Sequence, residues 1–243
     1  MKTYCREISS RFNVSRAIKA QYILSKLLIL EALRDKIETI TGLDVSYVRL
    51  DNREVGLGVA VIVEYPRLKV MKCNYYIREV CIPYIPGLLA FREMEILAPL
   101  LSNLIESYNI DLLMVDGHGI SHPRGFGIAS HIGLAFNKSS IGVAKSKLVG
   151  REEFIGGRRL LVHDNKVIGA IIETGKGRIY VSPGYKITLE EAIEIVRATI
   201  KPDSILPEPL RLADSISRTL KREVSIEKLE NPMVRECKLL TLV

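Results

Sequence analysis

Tryptophan is absent from this chain, glutamine occurs once, at Gln21, and no apolar run is long enough to cross a bilayer as a helix. The four cysteines, Cys5, Cys73, Cys81 and Cys237, never stand in CxxC spacing. That argues against a zinc module and against the disulfide framework of a small secreted domain. The opening residues, MKTYCREISSRF, lack an apolar core and a small-residue cleavage site, so no signal peptide is expected. A cytoplasmic protein without a membrane partner, monomeric, is the expectation.

What is present is ordinary globular material: 243 residues, 47% hydrophobic, 26% charged, with a formal net charge of +7. The surplus suits an anionic partner such as nucleic acid, and it equally suits a plain solvated surface. Residues 14–37 carry apolar side chains near helical spacing and predict one long helix, so the N-terminal segment, about 1–37, is expected to be helical. ETITGLDVSY, VGLGVAVIVEY and KVMKCNYYIREV then read as three strands joined by short turns, an antiparallel meander. A helix is predicted from about Gly87 toward Tyr108, with a kink or break at Pro99. DLLMV, apolar without alternation, reads as a strand buried on both faces. A glycine-rich loop, a short helix near 127–136 and the strand SSIGVAK follow. A basic hairpin (RRLLVHDNKVIGAIIETG), a strand RIYVSPG and two helices complete the chain before an apolar tail, about 231–243. Three antiparallel strands followed by α-β-α-β predict an α/β fold, a mixed sheet flanked by helices in a single domain over 1–243.

Three acidic residues sit where carboxylates are unusual. Asp116 ends the buried strand and precedes Gly-His-Gly, at the strand end where ligands gather in open α/β sheets; a turn-forming aspartate would occupy the same place. Glu93 falls in the apolar stripe of its helix, among Leu89, Leu97 and Leu100, where a glutamate needs a partner or a cation; an exposed rim is the alternative. Asp44 interrupts a strand between Ile40, Val45 and Val48, held either by Ser46 or a loop, or by an ion. Converging from separate elements, the three would bind hard cations through oxygen.

The blocks GLDVSY, PYIPGLLAFRE, VDGHGISHPRGFGIASHIG, IGVAK, YVSPG and ILPEPLRLAD resemble, in order, those of the endonuclease V (deoxyinosine 3′-endonuclease) family. They extend from about residue 40 to 215, and the second and third blocks are highly specific. The resemblance implies a ribonuclease-H-like fold, with a mixed five-stranded sheet of three antiparallel and two parallel strands. It implies repair of DNA containing deaminated purines such as deoxyinosine. Cleavage would fall at the second phosphodiester bond 3′ of the lesion and leave 3′-hydroxyl and 5′-phosphate ends. Carried over by motif, Asp44 and Asp116 become metal ligands and Glu93 a further metal-binding or water-orienting carboxylate. The cofactor would be Mg²⁺, with Mn²⁺ able to substitute. Two cations roughly 3.5–4 Å apart can activate water and stabilise both oxygens of an in-line displacement.

The resemblance departs at Asp214, where histidine is frequent, and at Tyr185 after VSPG, where histidine is also frequent. Asp214 is expected to act as a fourth carboxylate, against the alternative of a solvated helix aspartate. Lys145 resembles the lysine that approaches the scissile phosphate. The PYIP segment, Pro83, Tyr84, Ile85 and Pro86, resembles a wedge that enters the duplex, with Tyr84 stacking in place of an extruded base. Leu89, Gly117, Gly127, Ile128 and Leu148 would line the pocket for hypoxanthine. His122 and Arg124 point to the phosphate backbone, with loop fixation the other role open to His122. Lys147, Arg151, Arg158 and Arg159 form a basic run suited to DNA or to water. An inosine-specific endoribonuclease, another ribonuclease-H-like nuclease, and a binding protein without catalysis are the competing readings.

Overall fold

The computed structural model of the chain describes residues 2–238. Two helices open it, α1 (Lys2–Arg11) and α2 (Val14–Ser25); Asn13 caps the second by accepting the Arg16 backbone N–H at 2.9 Å. The predicted helix to residue 37 is corrected here, because α2 ends at Ser25. Beyond it Leu27, Ile29 and Leu30 are exposed, and the backbone finds partners elsewhere. The Ile29 carbonyl accepts the Lys186 N–H at 2.7 Å, and the Leu33 N–H donates to the Glu191 carboxylate at 2.9 Å. Apolar spacing specified neither which of these side chains pack nor how their backbone is satisfied.

The meander follows as read: β1 (Thr39–Leu50), β2 (Arg53–Glu64) and β3 (Lys69–Glu79), paired antiparallel. Asp51 and Asn52, at φ 47° and 61°, make the first turn, a left-handed pair that suits these two residue types and the strand twist. Helix α3 (Leu89–Ser107) runs through Pro99 without the expected break. Proline removes the N–H that would bond the carbonyl four residues back. That carbonyl, of Glu95, accepts from the Arg78 guanidinium at 3.4 Å instead.

The buried strand is β4 (Leu112–Asp116), followed by α4 (Ile128–Phe136) and β5 (Ser139–Ala144); β4 pairs parallel to both β1 and β5. Then come β6 (Arg151–Ile155), β7 (Arg158–His163), β8 (Lys166–Thr174), β9 (Gly177–Tyr185), α5 (Leu189–Thr199), α6 (Glu208–Leu220), α7 (Ile226–Glu230) and β10 (Arg235–Glu236). The sheet order is β10-β3-β2-β1-β4-β5-β9-β8-β7-β6. Its centre, β3 to β5, is the expected set of three antiparallel and two parallel strands. The count of five is corrected to ten, because β9 pairs with β5 and carries the basic strands β8, β7 and β6 into the same sheet, and β10 adds to β3 at the other edge.

Helices α3 and α4 cover one face, packing on Leu43, Leu113 and Val115; α5 and α6 cover the other, on Ile40, Met114 and Val181. Gly42 lets α6 lie directly on β1: a Cβ there would stand 2.2 Å from the Pro209 carbonyl oxygen. The start of α6 is fixed by buried Glu208, which accepts from Arg211 Nε at 2.6 Å and Lys201 Nζ at 2.8 Å. Burial opposes its charge, but those two cations hold its pKa below the usual value.

The cysteines, whose spacing argued against a disulfide framework, are nevertheless paired. Cys5 is bonded to Cys81 and Cys73 to Cys237, across 76 and 164 positions, so the pairing has no local spacing signature. The apolar tail, expected from about 231, contributes β10 beside β3; its last five residues lie outside the described ones. Among the described residues no helix is long and apolar enough to cross a membrane.

Candidate active site

Strand register assembles the site. Leu43 on β1 pairs with Val115 on β4, so the next residues, Asp44 and Asp116, stand side by side. Asp116 in turn pairs with Val143 on β5, two residues before Lys145. Helix α6, seated on Gly42, brings Asp214 over the same strand ends. One carboxylate oxygen from each of Asp44, Asp116 and Asp214 lies within 4.8 Å of the others. Donor atoms that are all oxygen, this close and this anionic, fit a hard divalent cation.

Each member is held. Ser217, one turn after Asp214, donates to Asp44 Oδ2 at 2.5 Å and has Ser46 Oγ at 2.9 Å. Lys145 Nζ donates to Asp116 at 2.9 Å and to Asp214 at 3.2 Å. Burial works against its charge, yet the two aspartates raise its pKa above the ordinary lysine value. Arg218 also donates to Asp214. Asp44 is 8% exposed, and its pKa is raised, first by burial and then by Asp116 and Asp214, with Ser217 pulling the other way.

Glu93 on α3 is buried, as its place in the apolar stripe required. Burial, then the charges of Asp44 and Asp116, push its pKa up to about 8. The structure thus places Asp214 in the tight cluster and Glu93 beside it, inside the same field. Beneath Glu93, the Arg92 guanidinium lies 4.3 Å from the Tyr47 ring and pairs with Glu54 at 2.5 Å.

Next to the carboxylates opens a pocket of about 230 Å³. Leu89, Gly117, Gly127, Ile128 and Leu148 all line it, with Tyr84 and His122 at its wall. Gly127 is required by close approach, since a Cβ would meet the His118 carbonyl oxygen at 2.2 Å. Tyr84 is 66% exposed on the turn Pro83–Gly87, which closes with the Leu88 N–H donating to the Ile85 carbonyl at 2.9 Å.

Comparison with known proteins accounts for this arrangement. A family model for Endonuclease V matches residues 22–215. The chain belongs to the endonuclease V family. It is 47% identical to Endonuclease V of Aeropyrum pernix over 226 residues, 93% of this chain and 87% of that one. The crystal structure of Endonuclease V from Bacillus subtilis superposes with a TM-score of 0.80 at 25% identity, covering 88% of this chain and 94% of that one. Endonuclease V of Ciona intestinalis was solved with a 24mer DNA containing an inosine followed by a ribo-adenosine. Its TM-score is 0.76 at 27% identity, over 87% of this chain and 99% of that one. The protein is therefore a metal-dependent endonuclease.

In this endonuclease V, His122 is buried and hydrogen-bonded both within its loop and to the Tyr84 turn. Its Nδ1 accepts the Arg124 backbone N–H at 3.2 Å, which leaves Nε2 to donate to the Gly87 carbonyl at 3.1 Å. Burial and the Arg124 charge lower its pKa to about 4, so it carries no charge toward a phosphate at neutral pH. Arg124 is half-buried and donates to the same Gly87 carbonyl and to Gln21. Of the basic run, Lys147 lines the pocket, whereas Arg151 and Arg159 pair with Glu153 and Glu173. Tyr185 is buried opposite Ser140, at the end of β5 remote from Lys145. Sequence reasoning missed His118, which lines the pocket and has Ser121 Oγ 3.0 Å from Nδ1. It also missed Ser217. The latter had a signal: it lies three residues after Asp214, on the same face of the helix.

Proposed function

We propose that this endonuclease V recognises deoxyinosine in DNA and hydrolyses the second phosphodiester bond 3′ of the lesion, leaving 3′-hydroxyl and 5′-phosphate ends. The convergence of Asp44, Asp116 and Asp214 supports this reading above any other single observation. The three would hold Mg²⁺, or Mn²⁺ in its place, through oxygen. The cation supplies Lewis-acid stabilisation of developing charge and a more acidic water. Lys145, between Asp116 and Asp214, carries a positive charge that can also face the scissile phosphate. Glu93, buried beside Asp44 and Asp116, is suited to orient the attacking water and accept its hydrogen bond. The neighbouring pocket takes the extruded base, and Tyr84 fills the gap left in the stack.

The direct test is incubation with strands bearing one inosine, with and without magnesium, mapping the product ends. One cut past the lesion, lost on chelation, is expected. Equal cutting of undamaged strands would overturn the reading, and preference for an inosine-containing RNA would move it to the endoribonuclease alternative.

Asp214 provides a second prediction. Asp214→Ala leaves Asp44 and Asp116 in place, removes one of the two carboxylates on Lys145 and frees Arg218. Turnover is expected to fall at least roughly tenfold, with an altered magnesium and pH dependence, because even groups that only support a metal site cost that much when removed. Unchanged metal and pH profiles would exclude Asp214 from the site.

A further inference from the structure

Gln21, the single glutamine of the chain, is fully buried on α2. Its side-chain amide spends both donors and its acceptor across two segments far away in sequence. Nε2 donates to the Gly87 carbonyl at 3.1 Å and to the Phe126 carbonyl at 3.2 Å, while Oε1 accepts from Arg124 Nε at 2.5 Å. Gly87 ends the Tyr84 turn, and Phe126 immediately precedes Gly127, the N-cap of α4. Both segments line the 230 Å³ pocket, through Tyr84 and Gly87 on one and Gly127 and Ile128 on the other. The Gly87 carbonyl also takes His122 Nε2 at 3.1 Å and the Arg124 guanidinium, so three side chains converge on one acceptor. At the other end of the turn, the Cys5–Cys81 disulfide ties α1 to the residue two places before Pro83. The N-terminal arm therefore grips the turn on both sides.

We infer that Gln21 is a positioning residue that sets the spacing between the Tyr84 turn and the α4 N-terminus, and with it the selectivity of the base pocket. The inference rests on the proposed reading of that pocket as the lesion site. Gln21 touches neither substrate nor the carboxylate cluster; it acts through Gly87, Arg124 and Phe126. An amide suits this place because a carbonyl pair and a guanidinium need a donor and an acceptor at once. A shift of an ångström in a positioning element is worth up to about a hundredfold in rate.

The test compares wild type, Gln21→Met and Gln21→Glu on strands with and without one inosine, resolving kcat from KM. Methionine keeps the volume and removes all three hydrogen bonds. Glutamate keeps the acceptor for Arg124, which guards the fold, and loses both donors. Both variants are expected to lower the kcat/KM ratio of inosine to undamaged strands roughly tenfold or more, chiefly through KM. The magnesium dependence of turnover should not move. A double variant with Arg124→Met should lose less than the sum of the two single changes. Retained discrimination in both variants, or equal losses on both strands, would overturn the inference while wild type still prefers inosine. A wild-type enzyme without that preference would overturn the lesion-pocket reading itself, and this inference with it.

Discussion

Asp44→Asn is expected to abolish cleavage, by at least about a thousandfold, while leaving binding to inosine-containing DNA close to that of wild type. Asparagine preserves the shape beside Ser217 but removes one of the three charges that would gather a cation, leaving only Asp116 and Asp214 in the cluster. On the proposed reading, binding would draw on the pocket and on Tyr84, and Asp44 is not among the residues that line that pocket. The same substitution should raise the melting temperature of the metal-free protein. Asp44 has a raised pKa in the fold, so its stabilising contribution is full below the unfolded value of about 3.9 and is lost as pH rises through the folded one. At neutral pH the ionised group therefore opposes folding, and its neutral replacement does not. Gel-shift binding, single-turnover cleavage and a melting curve decide the matter together. Loss of binding in step with cleavage would mean that Asp44 shapes the protein and not the reaction.

Tyr84→Ala is expected to lower kcat/KM on inosine strands by up to about a hundredfold, since stacking of a base on an aromatic ring contributes roughly 1–3 kcal/mol. Tyr84 is two-thirds exposed on a turn held at Gly87, so its loss should cost little stability. Affinity for magnesium should be untouched, because no carboxylate of the cluster contacts the turn through Tyr84. Fluorescence of 2-aminopurine placed beside the inosine offers an independent readout of unstacking. If the variant binds magnesium less well, or unstacks the neighbouring base as before, the wedge role fails.

Much of this was visible in the residues. Aspartate in a β-strand and glutamate in an apolar helix stripe each contradict their surroundings, and Asp44 and Glu93 were singled out on that ground alone. The burial of β4 on both faces was legible because DLLMV has no polar face to offer water. What was not legible depends on contacts distant in sequence. The helix predicted to residue 37 ends at Ser25 because Lys186 and Glu191 satisfy the backbone that follows, and nothing near Ile29 or Leu33 announces them. Pro99 fails to break α3 because Arg78 on a neighbouring strand takes up the abandoned carbonyl. The disulfides pair cysteines 76 and 164 positions apart, and Gln21 reaches its partners across more than sixty. Asp214 required the family resemblance, because an aspartate on an amphipathic helix looks the same whether it faces water or an ion.

The short strand β10 has a bearing on association. Without it β3 would present a row of open amides and carbonyls at the margin of the sheet, a template on which a strand of another molecule can add. Arg235 and Glu236 occupy part of that row, the Cys237 N–H donates to the Cys73 carbonyl at 2.8 Å, and the covalent bond between the same two residues keeps this segment from peeling away. The segment 235–237 thereby blunts self-templated growth at this edge of the sheet.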